Sequence, residues 1–422
     1  MGYKFFNIQP VKKSFEKKLN EFVNSLGNAI SKGEKIFFAD NDITYTLKLQ
    51  NERIKEKDLE IEYEVYKRDN ERNEFIAGSD WKDAHYESVV CFKPFGVKRV
   101  VKRNGKKVYK DNHKCVLYGT MTDVLMNSHP EDDLFSCPNC GAVSTIAELQ
   151  NGCPYCSTIY KMDDLFPKVT GYYFLDDPGI DKGDYIRGFV ISAIICTFFL
   201  FIVVAIANRG QVNLAFILGL LIGCPIEGVV MGFFMYSYFL LIRLIVKAIA
   251  STGKMGTAGS RMRFEARMKR VNPEFSFEYF TSKAISLIKT AIYSKDEKEL
   301  LFYNGESLDE KMKNIIDLNY GGALGLKSFK EEDGIVTVIT DAFFDVLYAD
   351  ENKVYQKHQV FNAVFQRRVD IPVNFNFSMT RISCPTCGAS YDATKNKFCP
   401  NCGNEYEITS DDWALIELKV KR

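Results

Sequence analysis

GFVISAIICTFFLFIVVAIA, residues 188–207, is a run of twenty positions without a charged side chain. At about 1.5 Å per residue, such a helix covers the roughly 30 Å of a bilayer's hydrocarbon core. The segment is read as a transmembrane helix. After the polar break Asn208-Arg209-Gly210-Gln211, a second apolar run fills residues 212–242, interrupted by Gly223-Cys224-Pro225-Ile226-Glu227-Gly228. Proline removes a helical hydrogen bond and glycine permits bending, so a kink or a short re-entrant piece is expected before the crossing that follows Gly228. Residues 186–250 are therefore assigned to a transmembrane hairpin.

Orientation follows from charge. Arg243, Lys247, Lys254, Arg261, Arg263, Arg267, Lys269 and Arg270 follow the second run, whereas the loop between the runs holds only Arg209. The positive-inside rule places the side beyond residue 242 in the cytoplasm. Glu227 is the acidic residue of the second run, and an ionisable group at bilayer depth costs about 2.5–3.5 kcal/mol. It is read either as an ion or proton site of a sensor or transport component, which would need a homo-oligomer to build a pore, or as part of an interfacial turn beside Pro225. The turn is preferred, because two helices offer few surfaces to line a pathway.

On both sides of the hairpin stand paired Cys-x-x-Cys knuckles. Cys137 and Cys140 are followed after twelve residues by Cys153 and Cys156; Cys384 and Cys387 are followed after eleven by Cys399 and Cys402. Two such knuckles converge into the closed, all-sulfur tetrahedral shell of structural zinc, with no position left open for chemistry. Gly141, Gly388 and Gly403 suit the tight turns that aim backbone amides at sulfur. A redox dithiol would need one knuckle at a helix start, not two pairs at near-equal spacing. Two structural Zn2+ ions are expected. Thiolate ligands on both flanks want a reducing compartment, so an even number of crossings should keep both soluble parts in the cytoplasm. Cys91, Cys115, Cys196 and Cys224 fall outside the pattern and are expected to fill apolar space.

The 422 residues carry 55 basic and 54 acidic side chains, so no bulk charge draws the chain to nucleic acid. Neither ribbon loop offers a phosphate-tracking surface: the first has no basic residue and the second only Lys395 and Lys397. With 4 His residues, acid–base chemistry is thinly supplied, and no catalytic residue is assigned. The N-terminal MGYKFFNIQPVKKSFEKK lacks the apolar core of a secretory signal, and Asn7 stands where a myristoylation signal after Gly2 prefers Ser or Thr.

Each half opens with an amphipathic helix. Phe15, Leu19, Phe22, Val23, Leu26 and Ile30 share one helical face, as do Phe277, Phe280, Ala284, Leu287, Ile288 and Ala291. Strand-like sequence follows, most clearly at 335–339, 343–348 and 360–367, with a turn at Ala349-Asp350-Glu351-Asn352. A duplication of one unit is suspected. The division expected is an N-terminal α+β domain over 1–130, a zinc ribbon and closing strand over 131–176, the hairpin, an α+β domain over 256–372, and a second ribbon and closing strand over 380–422.

Residues 262–370 carry a basic leading helix, the turn Asn272-Pro273-Glu274-Phe275-Ser276, a long helix anchored on Phe277 and Phe280, a mid-domain Asp296 with Leu300, and strands ending in Val364-Phe365-Gln366-Arg367. About a quarter of the chain thereby resembles the C-terminal domain of the mitochondrial inner-membrane translocase subunit forty-four. The resemblance implies a cone-shaped α+β fold similar to nuclear transport factor two, with an antiparallel sheet and helices around an apolar pocket, and a role as a membrane-proximal scaffold. Transmembrane helices and zinc ribbons depart from that family, so a part in protein import does not carry over. An inner cell membrane protein with its domains facing inward fits better.

The expected function is that of a non-enzymatic, membrane-anchored scaffold, with the bilayer and a protein or peptide as partners. Anionic lipid is a further partner, through residues 261–270, RMRFEARMKR. The alternative is an enzyme or small-ligand sensor using the cone pocket, with His358 beside Asp341 or Asp345 as the candidate pair.

Overall fold

The computed structural model describes residues 9–68, 74–82, 86–124, 134–136, 142–149, 153–156, 167–177, 182–207, 214–250, 252–273, 275–370, 381–384, 386–387, 390–392, 396–410 and 412–421. The first half contains β1 (Gln9–Pro10), α1 (Lys13–Lys32), α2 (Asn41–Glu56), β2 (Leu59–Tyr66), β3 (Ile76–Lys82), β4 (Tyr86–Arg103), β5 (Lys106–Val124), β6 (Leu134–Ser136), β7 (Val143–Thr145), α3 (Ile146–Leu149) and β8 (Lys168–Asp176). Then come the apolar helices α4 (Lys182–Ala207) and α5 (Leu214–Ala250). The second half has α6 (Thr252–Val271), α7 (Phe277–Tyr293), β9 (Ile315–Glu332), β10 (Ile335–Ala349), β11 (Val354–Arg368), β12 (Arg381–Ser383), β13 (Ser390–Asp392) and β14 (Ala414–Val420).

Helix boundaries obey local chemistry. The α1 stripe is buried as its periodicity requires, and Gly33, in the left-handed region, ends the helix by returning its amide to the Ala29 carbonyl at 3.1 Å. Ser276 caps α7 by accepting from the Tyr279 amide at 3.2 Å. At the other end of α7 the guanidinium of Arg53, from α2, donates to the Ile292 and Ser294 carbonyls at 3.1 and 2.9 Å. One half thus terminates a helix of the other.

Both halves build an antiparallel sheet with the same connectivity. In the first, β2 and β3 lie along successive stretches of the long β4, which pairs with β5, which pairs with β8. In the second the order is β14-β11-β10-β9, and β9 alone spans what β2 and β3 cover together. In each case a small two-stranded sheet, β6–β7 or β12–β13, lies between the meander and the strand that returns to close it. β1, which pairs with β3 at the edge of the first sheet, has no counterpart in the second.

The division into domains differs from expectation. Met1–Asp177 and Thr257–Arg422 form one compact unit, and Pro178–Gly256 forms the other. The α+β halves are not independent, because their cores cross over: Leu49 of α2 is buried among second-half residues, and Ile316 and Leu347 among first-half residues. The resemblance implied an apolar pocket between sheet and helix of the second half. That space is instead packed by Phe264, Phe280, Phe344, Phe365 and Trp413, with Phe280 and Trp413 ring centroids 4.7 Å apart.

In the smaller unit, α4 and α5 hold two segments long and apolar enough to cross a membrane, Tyr185–Ala207 and Phe216–Ile242. The short re-entrant piece expected before Gly228 is not formed: α5 runs as one helix through Pro225. Gly228 and Gly232 let the helices touch, since a Cβ on either would lie 2.7 Å from Thr197 Cα or 2.5 Å from Ala193 Cα. Gly232→Leu is expected to lengthen and broaden the distance between spin labels at the exposed positions Ile195 and Phe234. Gly223→Leu, where an added Cβ meets nothing within 4 Å, should leave that distance unchanged.

Candidate functional site

The second set of cysteines is gathered as the spacing demands. Cys384 leaves β12, Cys399 and Cys402 lie in the turn that ends at Gly403, and the four Sγ atoms all fall within 4.8 Å of one another. The Cys384–Cys402 and Cys387–Cys399 sulfurs are 3.6 Å apart. That is close to the roughly 3.8 Å edge of a tetrahedron with metal–sulfur bonds of about 2.3 Å, and far beyond a disulfide bond. The donor set fits a metal ion held without an open position. Cys384 and Cys399 are buried while Cys387 and Cys402 face outward, so the cluster joins core to surface. Backbone amides of Cys387 and Thr386 lower the Cys384 thiol to about 6. Gly403, at φ 73°, donates to the Cys399 carbonyl at 2.8 Å, and the Cys399 amide donates to the Asn404 carbonyl at the same distance.

Of the first set, Cys137 and Cys140 lie outside the described residues; Cys153 is buried and Cys156 half-buried. Cys91, Cys115, Cys196 and Cys224 are all buried. Burial pushes the Cys91 thiol up to about 12, which makes it an inert filler.

The candidate pair for acid–base chemistry stands on an open face. His358 Nδ1 contacts Asp345, but its side chain is 84% exposed. Asp341 is held by Lys421 and Lys327 at 2.6 and 3.1 Å. The stretch expected to lie on lipid is partly built into the core. Phe264 and Met268 are buried there, and Arg261 donates to Glu278 at 2.5 Å.

Two polar clusters that the sequence did not single out join the halves. Lys283 of α7 lies 3.2 Å from Asp42 and 2.9 Å from Asp412, and Tyr279 donates to Asp412 at 2.9 Å. Burial alone would lower the Lys283 amine; Asp412 and Asp42 more than offset it and hold it well above its ordinary value. The second cluster surrounds Arg99, which donates to Asp317 at 2.7 Å, to Gln356 at 3.2 Å and to Asp111. Period two puts Arg99 on the face of Val97 and Val101, a signal that could have marked it as buried.

Beside the lysine cluster, Asp40 caps α2 through the Asp42 amide. Burial and then the Asp42 carboxylate raise the Asp40 carboxyl to about 6. Between about pH 4, where an unfolded aspartate titrates, and about pH 6, the native state binds a proton that the unfolded chain has lost. This group's contribution to stability therefore falls as pH rises through that window. Asp40→Asn keeps the cap and is expected to flatten that slope in denaturant titrations at a series of pH values.

Compared with protein-family models, curated proteins and solved structures, the chain has no match.

Proposed function

We propose that this chain is a cytoplasm-facing scaffold tethered to the inner cell membrane, its apolar helices crossing the bilayer twice and its double-sheet unit presenting a surface to a protein, peptide or lipid partner. The observation that carries this reading is a compact helical unit whose two long helices expose many large apolar side chains. Phe198, Ile195, Ile222 and Phe234 are each more than half exposed there, a patch that water would not tolerate and a bilayer would. Structural zinc at Cys384, Cys387, Cys399 and Cys402 suits a reducing compartment, and a second zinc at Cys137, Cys140, Cys153 and Cys156 rests on their spacing. Charge contact with anionic headgroups falls to Arg263, Arg267, Lys269 and Arg270, which are exposed on α6. The test is proteolysis of intact cells and of inverted membrane vesicles, with zinc measured on the detergent-solubilised full chain. Protection in cells, cleavage in inverted vesicles and two zinc ions per chain are expected. Recovery of the chain in the soluble fraction, cleavage from outside, or absence of zinc overturns the reading.

A second reading rests on Glu227. It lies on an unbroken helix near the middle of Phe216–Ile242 and is exposed, so it is not in the interfacial turn expected from Pro225. An outward carboxyl at that depth favours an oligomer in which copies bury it for ion or proton sensing. Glu227→Gln should then change oligomer stability in detergent, and an unchanged monomer sinks this second reading.

A further inference from the structure

The four cysteines of the described cluster stand in two environments. Cys384 and Cys399 are 3% and 1% exposed and belong to the hydrophobic core that holds Phe280 and Trp413. Cys387 and Cys402 are exposed. Each outward sulfur lies 3.6 Å from an inward sulfur of the opposite knuckle, Cys402 from Cys384 and Cys387 from Cys399. A metal-binding set keeps its sulfurs as thiolates, and oxidation of cysteine follows thiolate character and exposure. A soluble oxidant therefore meets two of the four sulfurs and is shielded from the other two.

The ribbon is tied to the closing strand by two routes. Along the chain, the second knuckle leads to Asp412, whose amide donates to the Ile408 carbonyl at 3.1 Å, and on to Trp413 and β14. Across space, Lys397 donates to the Tyr303 carbonyl and, at 3.2 Å, to Asn304 Oδ1. Residues 302–304 in turn hold β14: Leu415 donates to the Phe302 carbonyl at 2.8 Å, and Asn304 donates to the Leu415 carbonyl at 3.4 Å. Any event that empties the cluster therefore bears on β14, unless something else keeps the two knuckles together.

We infer that Cys387 and Cys402 form a site of oxidation by hydroperoxides, through which the ribbon gives up its zinc while disulfides between the knuckles keep it closed; this rests on the structural-zinc reading of the proposed function. The Sγ of an outward cysteine attacks one oxygen of hydrogen peroxide, the O–O bond breaks, hydroxide leaves and a sulfenic acid forms. The inward thiolate 3.6 Å away attacks that sulfur, the S–O bond breaks, a second hydroxide leaves and a disulfide forms. The two sulfurs have lost two electrons, the peroxide has gained them, and two protons from solvent complete two waters. Two remaining thiolates cannot supply the four-sulfur shell, and a second peroxide oxidises them in the same way. Both bonds join one knuckle to the other, so they replace the metal as a staple. In a reducing compartment, exchange with cellular dithiols restores the ligands.

The full chain in detergent, its zinc content measured beforehand, is titrated with hydrogen peroxide while a chromogenic chelator reports free zinc. Zinc should be released, and peptide mapping should show Cys384–Cys402 and Cys387–Cys399 disulfides. Dimedone added with the peroxide should label Cys387 and Cys402 and spare Cys384 and Cys399. Hydrogen exchange over residues 414–420 should stay slow in the oxidised chain, in contrast to the chelated, reduced one. Cys387→His combined with Cys402→His removes the outward thiols and keeps a donor set that zinc accepts, so this variant should release one zinc fewer per chain than the parent. Zinc retained at Cys384–Cys402 under peroxide, dimedone on the buried pair, disulfides within a knuckle, fast exchange of β14 in the oxidised chain, or equal release from the double variant overturns the inference. A chain that holds no zinc before treatment overturns the zinc reading itself, a result distinct from zinc that is present and does not move.

Discussion

Replacing Cys399 with serine, or stripping the metal with a strong chelator, is expected to destabilise the larger unit by at least about 3 kcal/mol, since metal binding in zinc-ribbon-sized units is itself folding free energy. The reason lies in where the cluster sits. Cys399 is 1% exposed and packs in the same core as Phe280 and Trp413, so a metal held there would brace the main hydrophobic cluster and not a detached finger. The ribbon lies between β11 and β14, and β14 must return to pair with β11 from Phe361↔Val420 to Gln366↔Ala414. Leu415 also donates to the Phe302 carbonyl at 2.8 Å. Without the metal the connecting segment loses its fixed geometry, and the closing strand with Trp413 is released. Hydrogen exchange should show protection lost first in residues 414–420. Cys91→Ser, at a buried cysteine outside the cluster, should leave β14 protected. If β14 stays protected in the apo protein, the metal does not brace the fold.

Arg99→Met is expected to cost about 3–5 kcal/mol, the range for removing one partner of a buried ion pair and leaving the other uncompensated. Arg99 is 2% exposed and its carboxylate partners come from both halves: Asp111 of β5, and Asp317 of β9, which also accepts from Gln50 at 2.9 Å. Arg99→Lys should recover only part of the loss, because an ammonium cannot reproduce the planar fork. The double change Arg99→Met with Asp317→Leu should be more stable than Arg99→Met alone, since it removes a buried charge left without its partner. Urea titrations of the set decide this, and equal stabilities of the single and double variants would count against the pairing. An acid dependence follows as well. Burial alone would raise the Asp111 carboxyl, but hydrogen bonds from His113 and Arg99 hold it well below the usual carboxylate range. A depressed folded pKa contributes stability above about pH 4 that is lost as pH falls below it. Arg99→Met should therefore show a shallower acid limb than the parent.

Different kinds of residue were legible to different degrees. The helical pair could be read from composition, because uncharged apolar runs of this length are too long for a single strand. The Cys384–Cys402 cluster could be read from spacing, because each knuckle is local and only the meeting of the two is tertiary. The strands at 335–339 and 343–348 proved to be one strand, β10, running through Thr340, Asp341 and Ala342. In the sheet the Asp341 carboxylate is paired with Lys421 and Lys327. Lys283, Arg99 and Asp317 were not singled out from the sequence, and each has a partner in the other half of the chain, Arg99 and Asp317 lying 218 positions apart.

By itself the sequence determined the elements whose stability is local: the amphipathic α1 and α7, the two apolar helices, the paired knuckles and the β-rich meander. Only the tertiary structure decided that the two halves share one body and that the space expected inside the second half is filled. The physical reason is that hydrophobic period and ligand spacing repeat over a few residues, whereas the match between two sheets depends on crossed cores and buried charge pairs. Those pairs are visible only once distant segments have met.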